Sequence, residues 1–276
     1  MVLPSQSSMP ERPRADRDLD ESIALSAVRE QLPALECRGA RHLGSGWATD
    51  VYLLDNRLTA RFPRNAEAAE WIDFDQAVLG LVTSSLASAL SVPRVVGRGK
   101  AGSYFPYDFL VCEFVSGVEA DRVAAPVSDQ LATDLGRALT HIHSVSLDDA
   151  RKVGLRQADW DDYTGTLRVL HGDFKHNNII VDPVSGRLVG VIDWGNAAVG
   201  DPAMDFMSVV LWRGWRFMHA VLSTYELPVD EDFLDRVRFK AQVEALQWLT
   251  DSIRRRVDPE PHLTWLRNAF SLASAS

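Results

Sequence analysis

Apolar residues change their spacing along this chain, and the change predicts a β-rich part followed by a helical part. In ESIALSAVREQL (21–32) they recur every three to four positions, as on one face of an amphipathic helix, and Pro33 ends the pattern. From residue 40 they come in short runs, ARHLGSGWATDVYLL and RLTARFP, around the turn residues Asp55 and Asn56. These runs predict strands, with a bend at Gly44 and Gly46.

One helix and one more strand pair complete the first part. AEAAEWIDFDQAVLGLV (66–82) predicts a single helix, because Trp71, Phe74, Val78 and Leu81 fall near one stripe. VPRVVGRG and YDFLVCEFV predict two further strands. Residues 1–20 are polar and contain three prolines, so we expect a mobile tail.

The second part is mostly helical. DQLATDLGRALTHIH (129–143) predicts a helix whose buried face consists of Leu131, Leu135, Leu139 and Ile142. IIVDPVSGRLVGVID (179–193) has two short apolar runs around a turn-forming segment, which predicts a β-hairpin. From GDPAMDF (200–206) onward the pattern is helical again, and its clearest stripe is Phe239, Val243, Leu246, Leu249 and Ile253.

These elements predict an α+β fold with two lobes. The expected division is a small β-rich lobe over residues 21–112, a connector at 113–118, and a mostly helical lobe over 119–276. A cleft between two such lobes is a common place for a ligand.

Composition narrows the possible partners. The chain has 276 residues, 46% of them hydrophobic, and a net charge of −9, which argues against nucleic acid and favours a cationic small molecule. Cys37 and Cys112 are its only cysteines, so neither a disulfide framework nor a zinc site is expected. The sequence has no signal-peptide core and no apolar run of membrane-spanning length. We therefore expect a cytoplasmic protein with no membrane partner.

Two motifs resemble ligand sites but have simpler explanations. GRGKAG (97–102) matches the dinucleotide-binding glycine pattern, yet the strand-like SYFPYDFLVCEFV follows it instead of a helix, which favours a hairpin turn. His141 and His143 resemble a metal pair. Residues two apart on a helix point in different directions, so ordinary helix-end histidines are the better interpretation.

LHGDFKHNNIIV (170–181) carries an unusual density of hydrogen-bonding side chains beside an apolar strand. If the hairpin turn is centred on Val184 and Ser185, Asn178 faces Val191, and Asp193 lies two residues farther on the same face. An amide oxygen and a carboxylate together suit Mg²⁺, with phosphates completing its coordination. Asp173 could then accept a proton from an attacking hydroxyl. Polar residues that merely form a turn are the competing interpretation, but three at this spacing favour kinase chemistry.

The motifs together resemble the family of aminoglycoside phosphotransferase-like kinases, which includes macrolide phosphotransferases. They are LHGDFKHNNIIV, VIDWGNAAVGDPAMDF and LGSGWATDVYLLDNRLTARFPR, in family order. The resemblance implies a bilobal protein-kinase-like fold and transfer of the γ-phosphate of ATP or GTP to a hydroxyl of a small molecule. It implies that Asp173 is the catalytic base and that Asn178 and Asp193 hold Mg²⁺.

The resemblance also implies a nucleotide site in the first lobe. Backbone amides of Gly44, Ser45 and Gly46 would approach the phosphates, and backbone groups of Glu113 and Val115 would contact the base. Arg61 would hold phosphates in place of the usual lysine, with Asp75 as its helix partner and Glu70 as a rival. An edge-strand surface arginine is the competing interpretation of Arg61.

Three residues have structural explanations. Asp201 is a candidate N-cap, with Pro202 as the first residue of the helix that carries Asp205. His171 is interpreted as a residue that organises the loop and not as a base.

The acceptor side is where the chain departs from the resembled pattern. Only SLDDARKVGLRQADWDDYTGTLRV separates HIHSV from LHGD, where the family usually has several helices. Asp159, Asp161 and Asp162 in this segment could face a cationic acceptor or could form a solvated loop. We expect an aminoglycoside-like acceptor. The alternatives are a macrolide or another small-molecule acceptor, or a pseudokinase that binds nucleotide without turnover.

Overall fold

The computed structural model describes residues 14–123, 129–158 and 163–271, and these form two compact units. The N-terminal unit contains residues 14–84 and 92–116, and the C-terminal unit contains 85–91 and 117–271. Of the predicted tail, residues 14–20 are described. Asp16 accepts a hydrogen bond from the Tyr107 hydroxyl (2.6 Å), and the Leu19 carbonyl accepts one from Tyr52 (2.6 Å).

An antiparallel sheet forms the centre of the N-terminal unit. Its order is β1 (Ala40–Ser45), β2 (Thr49–Leu54), β3 (Leu58–Pro63), β5 (Phe109–Glu113) and β4 (Val95–Gly99), and α1 (Glu21–Gln31) precedes it. The predicted strands and first helix are confirmed, as is the hairpin at GRGKAG, since β4 and β5 pair antiparallel. One sheet face and α1 enclose a core that includes Val28, Leu54, Phe62 and Phe109, all fully buried.

The predicted single helix over residues 66–82 is wrong. The chain forms α2 (Ala66–Ala69), turns, and then forms α3 (Ile72–Leu86). Asn65 caps α2 by accepting from the Ala68 N–H (2.8 Å), while the N–H groups of Glu70 and Trp71 bond to carbonyls only three residues back, so the helix tightens and ends. Trp71 is consequently 46% exposed, outside the buried stripe to which the sequence assigned it.

The described residues of the C-terminal unit form five α-helices after the end of α3 and two small sheets. The helices are α4 (Asp129–His143), α5 (Leu147–Lys152), α6 (Ala203–Leu222), α7 (Phe233–Arg255) and α8 (Glu260–Phe270). One sheet has the order β6 (Val118–Glu119), β8 (Ile179–Val181) and β9 (Leu188–Val191), and the other pairs β7 (Arg168–Leu170) with β10 (Ala198–Gly200). The predicted leucine face of α4 is buried, so that prediction is confirmed. Together with the N-terminal sheet, these elements confirm the predicted α+β class.

The predicted helix around residue 246 is confirmed as α7, but the apolar stripe that indicated it is not the buried face. Phe239, Leu246 and Ile253 are exposed, and the buried face carries small residues such as Ala241 and Ala245. Small side chains allow the helix backbone to approach α6 and α8 closely, with which α7 packs. The large apolar residues that dominate a hydrophobicity pattern are therefore on the other side.

Helix α6 is interrupted at Gly214, where α8 packs against it. Gly214 has φ +74° and ψ −179°, a conformation that L side chains rarely adopt, and helical geometry breaks there. The side-chain amide of Asn268 in α8 donates to the Leu211 carbonyl (2.8 Å), one turn before the break. The contact fixes α8 against the first half of α6.

No helix within residues 14–123, 129–158 and 163–271 combines the length and apolar character needed to cross a lipid bilayer.

Candidate active site

A buried carboxylate anchors the loop that follows β7. Asp205, in the first turn of α6, accepts hydrogen bonds from the backbone N–H groups of His171 (2.9 Å) and Gly172 (2.9 Å). It also accepts from Nε2 of His143 in α4 (3.1 Å), whose Nδ1 accepts from the Tyr225 hydroxyl (2.8 Å). Burial by itself would raise the pKa of Asp205, but the hydrogen bonds and partial charges around it lower the pKa below its ordinary value. Asp205 is therefore an ionised anchor for the start of the loop.

Glycine is required at the second loop position. Gly172 has φ +79°, and a Cβ built there would lie 2.1 Å from the Asn196 carbonyl oxygen. The sharp turn takes the chain from the buried end of β7 to Asp173, whose side chain is 22% exposed.

Asp173 is bonded to both neighbours that the loop brings back to it. The Asn178 side-chain amide donates to the Asp173 carbonyl (2.9 Å) and to its carboxylate Oδ2 (2.9 Å). The Lys175 Nζ lies 2.8 Å from the other carboxylate oxygen, Oδ1. The carboxylate is thus fixed in orientation while it remains partly open to solvent.

The hairpin register differs by one residue from the prediction. Ile179, not Asn178, pairs with Val191, and a bulge between Ile180 and Val181 absorbs the difference. The Ile192 N–H donates to the Asn178 carbonyl (2.9 Å). Asp193, which follows, has φ +64° and so leaves the strand. The alternation of faces assumed in the sequence argument consequently does not extend to Asp193, which is exposed.

The side-chain oxygen atoms in and after this loop fit a magnesium ion that is bound through few protein ligands. Because the Asn178 NH₂ faces the Asp173 carboxylate, its amide oxygen faces away and is available as a ligand. The described residues contain no group of three or more His, Cys, Asp or Glu side chains arranged to hold a metal. An amide oxygen and one exposed carboxylate instead match the hard-oxygen pattern of Mg²⁺ that keeps water and phosphate ligands.

His171 uses both ring nitrogens within the loop. Nε2 donates to the Ile192 carbonyl (3.0 Å), and Nδ1 accepts from the Asp173 N–H (3.2 Å), which requires the neutral Nε2–H tautomer. The ring is fully buried and lies 4.6 Å from the Trp194 ring centroid. His171 therefore links the loop to the strand end that precedes Asp193.

Asp201 caps the start of α6, although the helix begins one residue later than predicted. Its carboxylate accepts from the Ala203 N–H (3.0 Å), and Pro202 stands at the N-cap position instead of inside the helix. Pro202 already has helical dihedral angles (φ −57°, ψ −20°), so the difference lies only in where the first turn is counted from. Asp201 is buried and also accepts from Arg236 Nε (2.9 Å), a tie to α7 that the sequence did not indicate.

A small, open pocket of about 60 Å³ adjoins this loop within the C-terminal unit. Asp173, Lys175 and His176 line one side of it. Three of the eight tryptophans line the rest, each from a different helix, with the apolar residues Met207 and Leu211. They are Trp212 of α6, Trp248 of α7 and Trp265 of α8.

One carboxylate stands among these indoles. Glu244 of α7 accepts from Trp248 Nε1 (2.6 Å), one helical turn along, and also lines the pocket. Burial is the main cause that raises the pKa of Glu244, and the nearby Asp173 charge adds to it, while Trp248 and Lys175 oppose them. His176 has a lowered pKa, chiefly through burial.

In the N-terminal unit, Arg61 lies on β3 and Asp75 on α3, and the charges of both act on the buried thiol of Cys112. Arg61 and Asp75 therefore both lie close to Cys112. Burial is the larger influence and raises the pKa of Cys112 to about 11. Glu70, the rival partner, is exposed at the end of α2, outside α3.

The remaining predicted nucleotide residues lie at two places on the same sheet. Gly44 and Ser45 end β1, and Gly46 donates to the Thr49 carbonyl (2.7 Å) to close the turn to β2. A Cβ at Gly44 would meet nothing within 4 Å. At the end of β5, Glu113 forms an ion pair with Arg94, and Val115 follows, buried.

Sequence reasoning missed several residues beside Asp173. Lys175 was visible in the same motif, only two positions from Asp173. Glu244 and Trp248 offered only their spacing of four, which puts them on one helix face, and nothing local related them to the loop. Asp159, Asp161 and Asp162, which the sequence offered for a cationic acceptor, lie outside the described residues.

Solved structures that share this fold include aminoglycoside and macrolide phosphotransferases. The GDP complex of aminoglycoside 2'-phosphotransferase-IIIa matches with a TM-score of 0.75 at 19% identity, over 91% of this chain and 98% of that one. Macrolide 2'-phosphotransferase type I matches with a TM-score of 0.66 at 16% identity, over 93% and 100%. At these identities the likeness establishes the kinase-like fold.

Sequence comparison gives the family. A segment of 55 residues is 34% identical to Hygromycin-B 4-O-kinase of Escherichia coli, which is 20% of this chain and only 16% of that kinase's length. The model of the phosphotransferase enzyme family matches residues 39–164 and 154–238. Because that match covers well over half of the chain, the protein belongs to the phosphotransferase enzyme family.

Proposed function

We propose that this protein is a small-molecule kinase that transfers the γ-phosphate of ATP or GTP to an alcohol hydroxyl. The observation that carries the proposal is the position of Asp173. Its carboxylate is oriented by Asn178 and Lys175, is partly exposed, and borders an open pocket in the C-terminal unit. Family membership supports the same reaction class.

In the proposed reaction, the acceptor hydroxyl oxygen forms a bond to the γ-phosphorus, and the bond from that phosphorus to the β–γ bridging oxygen breaks. Asp173 accepts the hydroxyl proton, and the nucleoside diphosphate leaves with the bridging oxygen. Asn178 and Asp193 would hold Mg²⁺, which neutralises phosphate charge when bound. Asp205 and His171 act only by holding the loop in the observed conformation.

The nucleotide would bind the N-terminal unit through the residues that the sequence indicates. Of the turn at Gly44, Ser45 and Gly46, Gly44 has open space beside its backbone in which phosphate oxygens could lie, whereas the Gly46 N–H already donates to Thr49. Arg61, with Asp75 nearby, would bind phosphates, and backbone groups of Glu113 and Val115 would contact the base. The base is adenine or guanine, and thermal shifts with Mg·ATP and Mg·GTP would distinguish the two.

The acceptor predicted from the sequence is aminoglycoside-like, with macrolides as the alternative. Release of nucleoside diphosphate should be measured with both nucleotides across aminoglycosides, macrolides and amino alcohols. We expect Mg²⁺-dependent turnover with at least one compound, and a loss of about 100-fold or more in kcat for Asp173→Asn. Turnover that survives Asp173→Asn would refute the role of this residue.

A pseudokinase is the second candidate, favoured by one observation. In the described parts of the connection from α5 to β7, residues 153–158 and 163–167 contain no helix to form an acceptor wall. A pseudokinase would be stabilised by Mg·nucleotide against heat and would release no diphosphate with any acceptor.

A further inference from the structure

Helix α7 exposes a stripe of large apolar side chains to solvent. Phe239, Leu246 and Ile253 are spaced seven residues apart, which places them on one side of the helix, and they are 48%, 47% and 62% exposed. Val243 and Leu249 flank them and are half-buried. At a rise of about 1.5 Å per residue, the stripe from Phe239 to Ile253 is about 21 Å long. A continuous apolar row of this kind typically marks a contact with another protein surface.

The opposite side of α7 already serves the fold and the candidate site. It carries Ala241 and Ala245, both buried, and packs against α6 and α8. Glu244 and Trp248, which line the pocket beside Asp173, also lie on that side. The exposed stripe can therefore bind a second surface without a change in the fold and without covering the pocket.

The two ends of the stripe carry opposite charges. Exposed carboxylates precede it and exposed guanidinium groups follow it: Glu231, Asp232 and Asp235 at the N-terminal end, and Arg254, Arg255 and Arg256 at the C-terminal end. Stabilisation of the helix dipole accounts for these charges but not for the exposed apolar row between them. A surface that is acidic at one end and basic at the other is complementary to a second copy of itself in the reverse direction.

We propose that the stripe is the contact between two copies of this chain, paired antiparallel about a two-fold axis near Leu246. Phe239 and Ile253 are each seven residues from Leu246, so Phe239 of one copy faces Ile253 of the other. Each acidic end then faces a basic end, whereas parallel pairing would place like charges together. An exposed ion pair contributes little, so the apolar stripe supplies the affinity, the summed charges set the orientation, and loss of one charge has little effect.

The expected dimer is weak. One pair of helices in contact over about 21 Å is a small contact beside a standard interface of about 1,600 Å². Association must also overcome the loss of translational and rotational freedom. We therefore expect a Kd of about 1–100 µM.

Sedimentation velocity of the full-length protein between about 1 and 200 µM measures this association. It needs no nucleotide or acceptor, so its outcome is independent of the proposed kinase function. We expect monomers at the lowest concentration and dimers at the highest. A protein that stays monomeric at 200 µM overturns the proposal. Assemblies larger than two overturn it as well, because a two-fold contact closes at the dimer.

Leu246→Lys tests the axis, because it brings two like charges together while it keeps a residue of similar helix propensity. We expect Kd to rise about tenfold or more, with the wild-type melting temperature at about 1 µM, where both proteins are monomeric. Ile253→Lys gives the same test if Leu246→Lys melts lower. Val184→Lys, at a 93% exposed position between β8 and β9, is the matched control and should dimerise like the wild type. Unweakened dimers of both stripe variants would place the contact elsewhere.

Paired charge reversals test the direction of the helices. The double variant Arg254→Glu, Arg256→Glu makes both ends of the stripe acidic, so its Kd should rise about tenfold or more. The double variant Asp232→Arg, Asp235→Arg makes both ends basic and should weaken self-association in the same way. An equimolar mixture of the two should recover dimers at wild-type concentrations, because every end then meets its opposite charge. A mixture as weak as its components would contradict the antiparallel arrangement.

Discussion

The side-chain amide nitrogen of Asn178 lies 2.9 Å from the carboxylate Oδ2 of Asp173. One bond thus joins the residue expected to hold a metal to the residue expected to accept a proton. Because the nitrogen donates to the carboxylate, the amide oxygen of Asn178 faces away from Asp173, as the proposed role in Mg²⁺ binding requires. The two residues are coupled, and a substitution at either should affect the other.

Adjacent asparagines allow that coupling to be tested. Asn178 is buried, whereas Asn177 is exposed. We expect Asn178→Ala to raise the Mg²⁺ concentration for half-maximal turnover by about 10-fold or more, because an oxygen ligand is lost, and also to lower kcat, because Asp173 loses its orienting donor. Asn177→Ala should match the wild type in Mg²⁺ titrations of diphosphate release. Equal effects of the two substitutions would contradict the proposed ligand role.

Lys175 is expected to position Asp173 and not to bind the acceptor. Its Nζ lies 2.8 Å from Asp173 Oδ1, so Lys175→Met frees one carboxylate oxygen while it keeps a side chain of similar length. We expect kcat to fall about 10-fold with little change in acceptor KM. Lys152→Met, an exposed lysine paired with Asp149, is the control. A rise in KM without a fall in kcat would place Lys175 in acceptor binding instead.

Gly44 should matter to the nucleotide and not to the fold. It is not among the residues with positive φ, and a Cβ there would meet no protein atom within 4 Å. Gly44→Ala should therefore leave the melting temperature unchanged. If phosphates approach this turn closely, the added methyl group should raise the nucleotide Kd about tenfold, which titration calorimetry can measure. Unchanged nucleotide affinity would place the phosphates elsewhere.

Local patterns in the sequence were sufficient for elements whose large apolar residues form the buried face. The strands around Leu54 and Phe62 and the helix around Leu135 are of this kind. The pattern failed at α7, where Ala241 and Ala245 form the packing face, and at α2, where the cap formed by Asn65 and the tight turn after it end the helix early. Small residues and caps carry little weight in a hydrophobicity pattern although they decide packing.

Within the candidate site, local sequence patterns likewise predict some contacts and miss others. Contact between Asp173 and Asn178 follows from their five-residue spacing in one tight loop. The bulge between Ile180 and Val181 depends on packing along the hairpin, so the register was predicted one residue off. Glu244 reaches the loop only through the packing of α7 and α8 on α6, which no local pattern encodes.

Asp205 should support both stability and turnover. In Asp205→Asn only one amide oxygen remains for the N–H groups of His171 and Gly172, and the other N–H faces an NH₂ group. Breaking such a buried, charge-assisted network typically costs about 3–5 kcal/mol, so the melting temperature should fall clearly. kcat should fall too, because the loop that carries Asp173 loses its anchor. Asp235→Asn, an exposed carboxylate in α7, is the control.

The difference in melting temperature between the wild type and Asp205→Asn should change with pH in one direction. The pKa of Asp205 is lowered on folding, so its stabilising contribution is present above the ordinary carboxyl pKa of about 3.9 and is lost as pH falls through the lowered value. Melting temperatures of wild type and Asp205→Asn should differ by a constant amount from neutral pH down to about pH 5. The difference should shrink only on further acidification, as the wild-type carboxylate becomes protonated. A difference that grows toward acid pH would contradict an ionised Asp205 anchor.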